Sequence, residues 1–199
     1  MAIIGCSKLL YAKYANNNGT VSYSTGGTAA KLTNVNISLD TANDNDFYAD
    51  NAIDETDRVF SGGTLTVNTN DLTDAISKEL LGLQEAAVGT IAGITDTDVK
   101  EIFFDNRQVV PYLGIGMVIK HQRGGVAAWT GIMLNKVQFS VPNDAAETQG
   151  QTISWQTTEL SGTIMRDDSS TQCWKQQATF TTEAQAVAYL NARLSISST

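Results

Sequence analysis

Residues 35–69 read VNISLDTANDNDFYADNAIDETDRVFSGGTLTVNT, and this stretch decides how the chain is organised. Apolar and polar residues alternate at both of its ends, over residues 35–39 and 64–69. This alternation predicts two half-buried strands of an antiparallel sheet. The residues between them, 40–63, form a long acidic segment, which we call the arm. We expect the arm to be a functional loop without secondary structure of its own, because connections of this length are usually functional or disordered.

The arm contains aromatic residues that a disordered linker would not need. Because it has no core of its own, it must bury these side chains against something else, and another subunit is the simplest candidate. Aromatic side chains supply much of the binding energy of protein interfaces. We therefore predict an inter-subunit element whose contact residues are Phe47, Tyr48, Asp50, Asn51 and Phe60.

The composition is that of an ordinary globular protein, with 42% hydrophobic and 17% charged residues. A length of 199 residues predicts a single domain over residues 1–199. The net charge is −8, the pI is near 4.5, and the sequence has no cluster of Lys and Arg. These features argue against a high-affinity nucleic-acid binder, which would neutralise phosphates with basic patches. The longest apolar run, residues 112–119, is too short to cross a bilayer, so no membrane segment is predicted.

Most of the remaining chain is also predicted to form strands. Asn18-Gly19 and Gly124-Gly125 are expected to be hairpin turns, and Gly26-Gly27 is expected to end the second strand. Outside the arm and its flanks, strands are predicted over residues 7–14, 20–24, 113–119, 127–141, 152–165 and 173–180. Residues 83–110 show no clear period.

Two helices complete the predicted fold. Asp71 is the expected N-cap of the first helix, and Gly82 its C-terminal stop. Residues 182–185 form a capping box that opens a terminal helix. The apolar face of that helix is predicted to consist of Ala184, Val187, Leu190 and Leu194. The fold class is therefore mainly β, a β-sandwich or open barrel with one flanking helix and one C-terminal helix.

Signals of catalysis or metal binding are weak. His121 is the only histidine, and no Gly-x-Ser-x-Gly motif accompanies it. In the arm, Asp44-Asn45-Asp46 starts like a calcium loop, but Tyr48 stands where the next ligand belongs, which leaves an irregular calcium site as the alternative. Cys6 and Cys173 have no metal or redox spacing, so free thiols are predicted, with a disulfide as the alternative. We predict a protein that is not an enzyme and has no cofactor.

Several blocks of the sequence, taken together, resemble the major tail proteins of long-tailed bacteriophages. These blocks are spread in order over nearly the whole length, although residues 83–108 and Cys6 do not contribute. They are IGCSK (4–8), YAKY (11–14), FYADN (47–51), FSGGTL (60–65), DL (71–72), ELLG (79–82), PYLGIG (111–116), KVQFSVP (136–142), QG (149–150), ISWQT (153–157) and WKQQATF (174–180).

The resemblance implies a tail-tube subunit, a β-sandwich whose copies form stacked rings, normally hexameric, around a hollow channel. It implies that inner sheets join around the lumen, that a long loop reaches the next ring, and that double-stranded DNA passes through. The implied partners are further copies of the chain, a tape measure protein, a tail terminator and a distal tail protein. The implied location is the tail of the virion, after assembly in the cytoplasm of the host bacterium.

Three polar strand faces are predicted to line the lumen, because short uncharged side chains offer DNA neither salt bridges nor apolar stacking. Side chains two residues apart lie on one face of a strand. The predicted residues are Asn34, Asn36, Ser38, Thr64, Thr66, Asn68, Thr152, Ser154 and Gln156, with the third set continuing in phase to Thr158. The ordinary alternative for such faces is bulk solvent.

Two other functions fit parts of the sequence. A tube protein of a bacteriocin or of a type VI secretion system would share the architecture, and physical reasoning alone does not separate it from a phage tube. A carbohydrate-binding β-sandwich of a phage fibre is the alternative from a different class. It would be expected to show exposed aromatic residues clustered with Asp and Asn in loops.

Overall fold

The structure is a computed structural model that describes residues 2–41, 45–49, 52–57, 59–89, 91, 93, 98–143 and 157–197. The described residues form mainly strands, together with two helices. In chain order the strands are β1 (Ala2–Asn17), β2 (Thr20–Ala30), β3 (Leu32–Thr41), β4 (Asn45–Ala49), β5 (Ala52–Asp57), β6 (Phe60–Thr69), β7 (Gln84–Ala87), β8 (Lys100–Phe103), β9 (Leu113–Arg123), β10 (Val126–Phe139), β11 (Thr158–Met165) and β12 (Lys175–Phe180). The helices are α1 (Asp74–Leu81) and α2 (Glu183–Arg193).

The main sheet is antiparallel and contains eight strands. Seven follow the order β2-β1-β9-β10-β11-β6-β3, and β12 pairs with β10 beside this path. The two hairpin turns predicted from the sequence are confirmed. Asn18 and Gly19 have φ of 49° and 84°, and Gly124 and Gly125 have φ of 57° and 82°. Two successive positive φ angles match the twist of the flanking strands.

Strand β10 connects the two halves of the sheet. One of its edges pairs with β9, while the other edge pairs first with β12 and then with β11. The change of partner occurs at Asn135 and Lys136, where the register with β9 also shifts between Leu134 and Val137. A shift of this kind bends a strand and increases its twist.

The bend allows the sheet to fold over a single main core. Buried side chains of β6 and β11, such as Leu65 and Ile164, share this core with Leu9 of β1 and Ile115 of β9. Helix α1 contributes Leu80. The polypeptide crosses between the two layers a second time at Lys31, which directly joins β2 to β3. The strand order therefore encloses the apolar faces that form this core.

The structure corrects three predictions in the first half of the chain. Gly26 does not end β2, which continues to Ala30. A Cβ on Gly26 would lie 2.7 Å from the carbonyl oxygen of Tyr11, so this glycine permits a close approach. The N-cap position of α1 is Thr73, two residues after the predicted Asp71, and the Thr73 side chain makes no capping hydrogen bond. The prediction that the arm has no secondary structure is wrong, because β4 and β5 pair with each other within it.

The segment without a readable period also contains a hairpin, formed by β7 and β8. The other predicted helix boundaries agree with the structure. Gly82 ends α1 with φ of 67°, and the hydroxyl of Thr182 accepts a hydrogen bond from the backbone N–H of Gln185 at 3.4 Å.

Helix α2 packs on the outer face of β1, β9 and β10, where glycines provide a flat surface. Gly116 of β9 and Gly131 of β10 lie beneath Leu190, which is fully buried. The predicted apolar face of α2 was wrong at one position, since Ala186 is buried and Ala184 is exposed. Apolar–polar alternation along the strands could not predict this second apolar layer. The layer buries the faces of β1, β9 and β10 that point away from the main core.

We predict that Gly131→Val destabilises the protein by about 1–3 kcal/mol, the usual cost of overpacking. A Cβ at this position would lie 3.3 Å from the backbone oxygen of Ala186, so α2 would have to move. The matched control is Gly5→Val, another glycine in a strand, where nothing lies within 4 Å of the added Cβ. Urea denaturation of both variants measures the difference. Equal stabilities would contradict the proposed role of the glycine surface.

Candidate assembly surface

Three neighbouring strands, β3, β6 and β11, present one continuous polar surface, which we call the polar face. Their cross-strand partners form three rows. The rows are Asn34–Asn68–Glu159, Asn36–Thr66–Ser161 and Ser38–Thr64–Thr163. Eight of these nine side chains are uncharged, one is a carboxylate, and none is basic.

The alternation predicted for β3 and β6 is confirmed by burial. Asn36 and Thr64 are exposed, while Leu65 and Val67 on the opposite side of β6 are fully buried. Only one hydrogen bond joins side chains across the described polar face, from Asn68 Nδ2 to Glu159 Oε2 at 3.3 Å. The face is therefore shaped by strand pairing, and most of its polar groups are available to solvent or to a ligand.

In β11, the third strand of the polar face, the outward-facing side chains are at odd-numbered positions, whereas the sequence predicted even-numbered positions. Thr152, Ser154 and Gln156 lie outside the described residues. In the described part of the run, Thr158 is paired with Thr69 and lies on the same side as the buried Leu160. The polar side chains of β11 are instead Glu159, Ser161 and Thr163, one residue out of phase. Polar residues occur on both sides of this strand, so alternation did not distinguish its faces.

The arm emerges from the end of the same strand pair that carries the polar face. Phe47 and Tyr48 belong to β4, whereas Asp50 and Asn51 lie outside the described residues. Residues 40–57 contain seven acidic residues and no basic residue. Among the described strands, β4 and β5 pair only with each other.

Phe60, at the base of the arm, has a partner within its own chain. Its ring stacks on Trp174, with 4.3 Å between the ring centroids and 8° between the planes. The guanidinium of Arg166 donates a hydrogen bond to the carbonyl oxygen of Phe60. Phe60 therefore fixes the start of β6 to the segment before β12. Its predicted contact with another subunit stays a prediction.

Sequence reasoning missed a polar cluster at the bend of β10. The ammonium of Lys136 lies 2.8 Å from Asp168 Oδ2, and 5.1 and 4.6 Å from the ring centres of Tyr14 and Tyr112. The hydroxyl of Tyr14 donates a hydrogen bond to Asp168 at 2.7 Å. Next to this cluster, the side chain of Asn135 donates to the buried Asp167 at 2.8 Å.

The cluster shifts the pKa values of its acidic groups. The hydrogen bonds from Lys136 and Tyr14 lower the pKa of Asp168. Burial, together with the hydrogen bond to Asp168, raises the pKa of Tyr14 to about 12. No local sequence signal points to this arrangement, because its members come from β1, β10 and the turn after β11.

One groove, of about 640 Å³, runs along the outer side of α2. It is lined by Lys8, Glu183, Ala184, Val187, Ala188, Asn191, Ala192 and Ile196. Within the described ranges, no group of three or more His, Cys, Asp or Glu side chains is arranged to hold a metal ion. Cys6 and Cys173 are free thiols, as predicted.

No family model matches the sequence, and no curated protein matches it. Among the described residues, no helix is long and apolar enough to cross a membrane.

We predict that Lys136→Met reduces stability at neutral pH more than at pH 3. The pKa of an Asp carboxyl in the unfolded chain is about 3.9. When folding lowers that pKa, the ionised carboxyl stabilises the folded state at pH values above 3.9, and this stabilisation is lost as the pH falls through the folded-state pKa. Chemical denaturation at several pH values measures the difference from the wild type. The control is Lys31→Met, at an exposed lysine. A stability loss in Lys136→Met that is independent of pH would contradict the ion pair with Asp168.

Proposed function

We propose that this chain is a structural tube subunit whose copies assemble into stacked rings around a channel for double-stranded DNA. The observation that carries the proposal is the polar face, a sheet surface of nine polar side chains of which eight are uncharged and none is basic. The resemblance to phage tail proteins supports the same conclusion from the sequence. The proposed location is the virion tail, where the partners would include other copies, the tape measure protein and the terminal tail proteins.

The chemistry of the polar face suits passage of DNA better than binding of DNA. Proteins that hold DNA do so mainly through Lys and Arg on phosphates, and binding strengthens with each phosphate neutralised. Asn, Ser and Thr side chains keep the surface hydrated without providing a fixed positive charge. The one carboxylate, Glu159, would repel phosphates. A channel lined in this way would let a polyanion slide.

The position of the arm supports self-assembly. The arm extends from the β3–β6 pair, so a contact made by the arm would be coupled directly to the strands of the polar face. A two-stranded hairpin is at best marginally stable in water by itself and gains stability from a third element. Another copy of the chain would supply that element.

The first test is the assembly state of the purified protein. We expect electron microscopy to show rings or tubes for the wild type, while Phe47→Ala/Tyr48→Ala stays folded but does not form tubes. Circular dichroism checks that the double variant is folded. A wild-type protein that stays monomeric at all concentrations would contradict the proposal, and tubes of normal length from the double variant would contradict the role of the arm.

The second test concerns the channel. We predict that Asn36→Lys/Thr66→Lys/Ser161→Lys still assembles but slows ejection of DNA through the tail, with a defect that weakens as salt rises. The control variant, Thr20→Lys/Ser22→Lys/Ser24→Lys, adds the same charge at exposed positions of β2. Normal ejection by the polar-face variant, or equal slowing by both variants, would show that this face meets bulk solvent.

A further inference from the structure

A groove of about 570 Å³ lies between the start of β6 and the segment that leads into β12. We call it the basic groove, and its volume is within the range of about 300–1,000 Å³ that is usual for ligand sites. Its apolar wall and its main polar groups are Val59, Phe60, Trp174, Arg166, Gln172 and Lys175. An apolar wall with a few polar groups is the usual composition of a site for a small molecule.

The aromatic wall of the basic groove is fixed by contacts within the chain. The stacked rings of Phe60 and Trp174 both pack against the edge of the main core. The backbone N–H of Asn135 donates a hydrogen bond to the carbonyl oxygen of Trp174 at 3.0 Å, and that of Asp167 donates to Cys173 at 3.0 Å. The groove is therefore formed before a ligand arrives, and a preformed site loses less conformational entropy on binding.

The groove carries two cations, Arg166 and Lys175, on a chain whose net charge is −8. Among the described residues, neither of them forms an ion pair with a carboxylate. The adjacent acid in the sequence, Asp167, is buried, and its two oxygens accept hydrogen bonds from Asn135 and Ser169. Two cations on one groove create a local positive potential, which attracts an anion.

The guanidinium of Arg166 is held in place and still has donors for a ligand. It donates hydrogen bonds to the carbonyl oxygen of Phe60 and, at 3.3 Å, to Oε1 of Gln172. A guanidinium presents more N–H donors than these two acceptors engage. Arg binds phosphate or carboxylate oxygens through its planar fork, whereas Lys binds them as a point charge. The two side chains together therefore suit an oxyanion.

We propose that the basic groove binds a small phosphate monoester with an aromatic body. Arg166 and Lys175 hold the phosphate, whose charge of about −2 near neutral pH matches the two cations. The aromatic body packs on the half-buried Phe60–Trp174 wall, because aromatic side chains accept planar groups by stacking. This site is separate from the polar face, and binding there does not depend on the proposed assembly of tubes.

The first experiment measures the binding of three probes to the purified protein by isothermal titration calorimetry at about pH 7.5, where the phosphate is dianionic. Phenyl phosphate carries both parts of the ligand, inorganic phosphate only the anion, and benzyl alcohol only the ring. We expect phenyl phosphate to bind about tenfold or more tightly than either partial probe. Its affinity should fall as salt rises, since salt screens the attraction to the cations. Undetectable binding of phenyl phosphate, or equal affinity for a partial probe, would overturn the proposal.

The second experiment removes one cation at a time. Lys175→Met keeps an apolar stem without the ammonium, and it should weaken the binding of phenyl phosphate by about tenfold. The matched control, Lys31→Met, removes the same charge from an exposed lysine at the other end of β6 from Phe60, and it should bind like the wild type. Arg166→Lys keeps the charge but loses the planar fork, so it should also bind more weakly.

Circular dichroism checks that these variants are folded. If Arg166→Lys unfolds because its contact with Phe60 is lost, Lys175→Met decides the result. Equal affinities of Lys175→Met and Lys31→Met for phenyl phosphate would show that Lys175 does not hold the phosphate and would contradict the proposed site.

Cys173 reports the position of the bound probe without any substitution. Its half-buried thiol lines the basic groove, whereas Cys6 lies in β1 outside the groove. Saturating phenyl phosphate should slow the alkylation of Cys173 by iodoacetamide about fivefold or more and leave Cys6 unchanged. Mass spectrometry of the two cysteine-containing peptides measures both rates. Bound phenyl phosphate that protects neither thiol, or both equally, would place the ligand outside the basic groove.

Discussion

The bend in β10 is the constraint on which the rest of the structure depends. This strand is bonded to β9 along one edge and divides its other edge between β12 and β11. The two partners bond to successive parts of this edge, β12 to Trp129–Leu134 and β11 to Lys136–Phe139. The bend directs β11, and through it β6 and β3, across the core. Side chains of β10, β12 and the turn after β11 stabilise it through three hydrogen bonds, one buried, one partly buried and one exposed.

This arrangement explains why both faces of some strands are buried while others keep a free polar face. Strands β1, β9 and β10 lie between the main core and α2, so neither of their faces meets solvent over much of their length. Strands β3, β6 and β11 cover the same core from the other side and have no helix over them among the described elements. Their outer side chains are polar and small, as an exposed sheet surface requires.

The two hairpins outside the main sheet differ in chemistry. The arm is acidic and contains aromatic residues, whereas the segment around β7–β8 exposes large apolar side chains next to paired charges such as Lys100–Glu85. Two unlike surfaces on one chain are what a heterologous, head-to-tail contact requires. In the proposed tube, such directionality would allow growth along one axis while the polar face stays continuous from layer to layer.

Much of this organisation was readable from the sequence. Alternation over residues 35–39 and 64–69 located β3, β6 and their polar side, because the period of a strand is a local property of the backbone. Asn-Gly and Gly-Gly pairs located two hairpin turns for the same reason, and Gly82 and Thr182 marked helix ends. The acidic arm was recognised as an insertion, although its hairpin was not, since its polar and apolar residues do not alternate regularly.

The tertiary structure alone decided which strands are neighbours and which of two possible faces is buried. The phase of β11 was wrong in the sequence-based prediction because polar residues flank Leu160 and Ile164 on both sides of the strand, and only pairing with β6 distinguishes them. From the sequence, Gly26 was predicted to end β2, whereas in the structure it permits a close approach to the backbone of Tyr11 in β1. The Lys136 cluster joins residues that are far apart in the chain. Such contacts depend on long-range pairing energies, to which local residue patterns are insensitive.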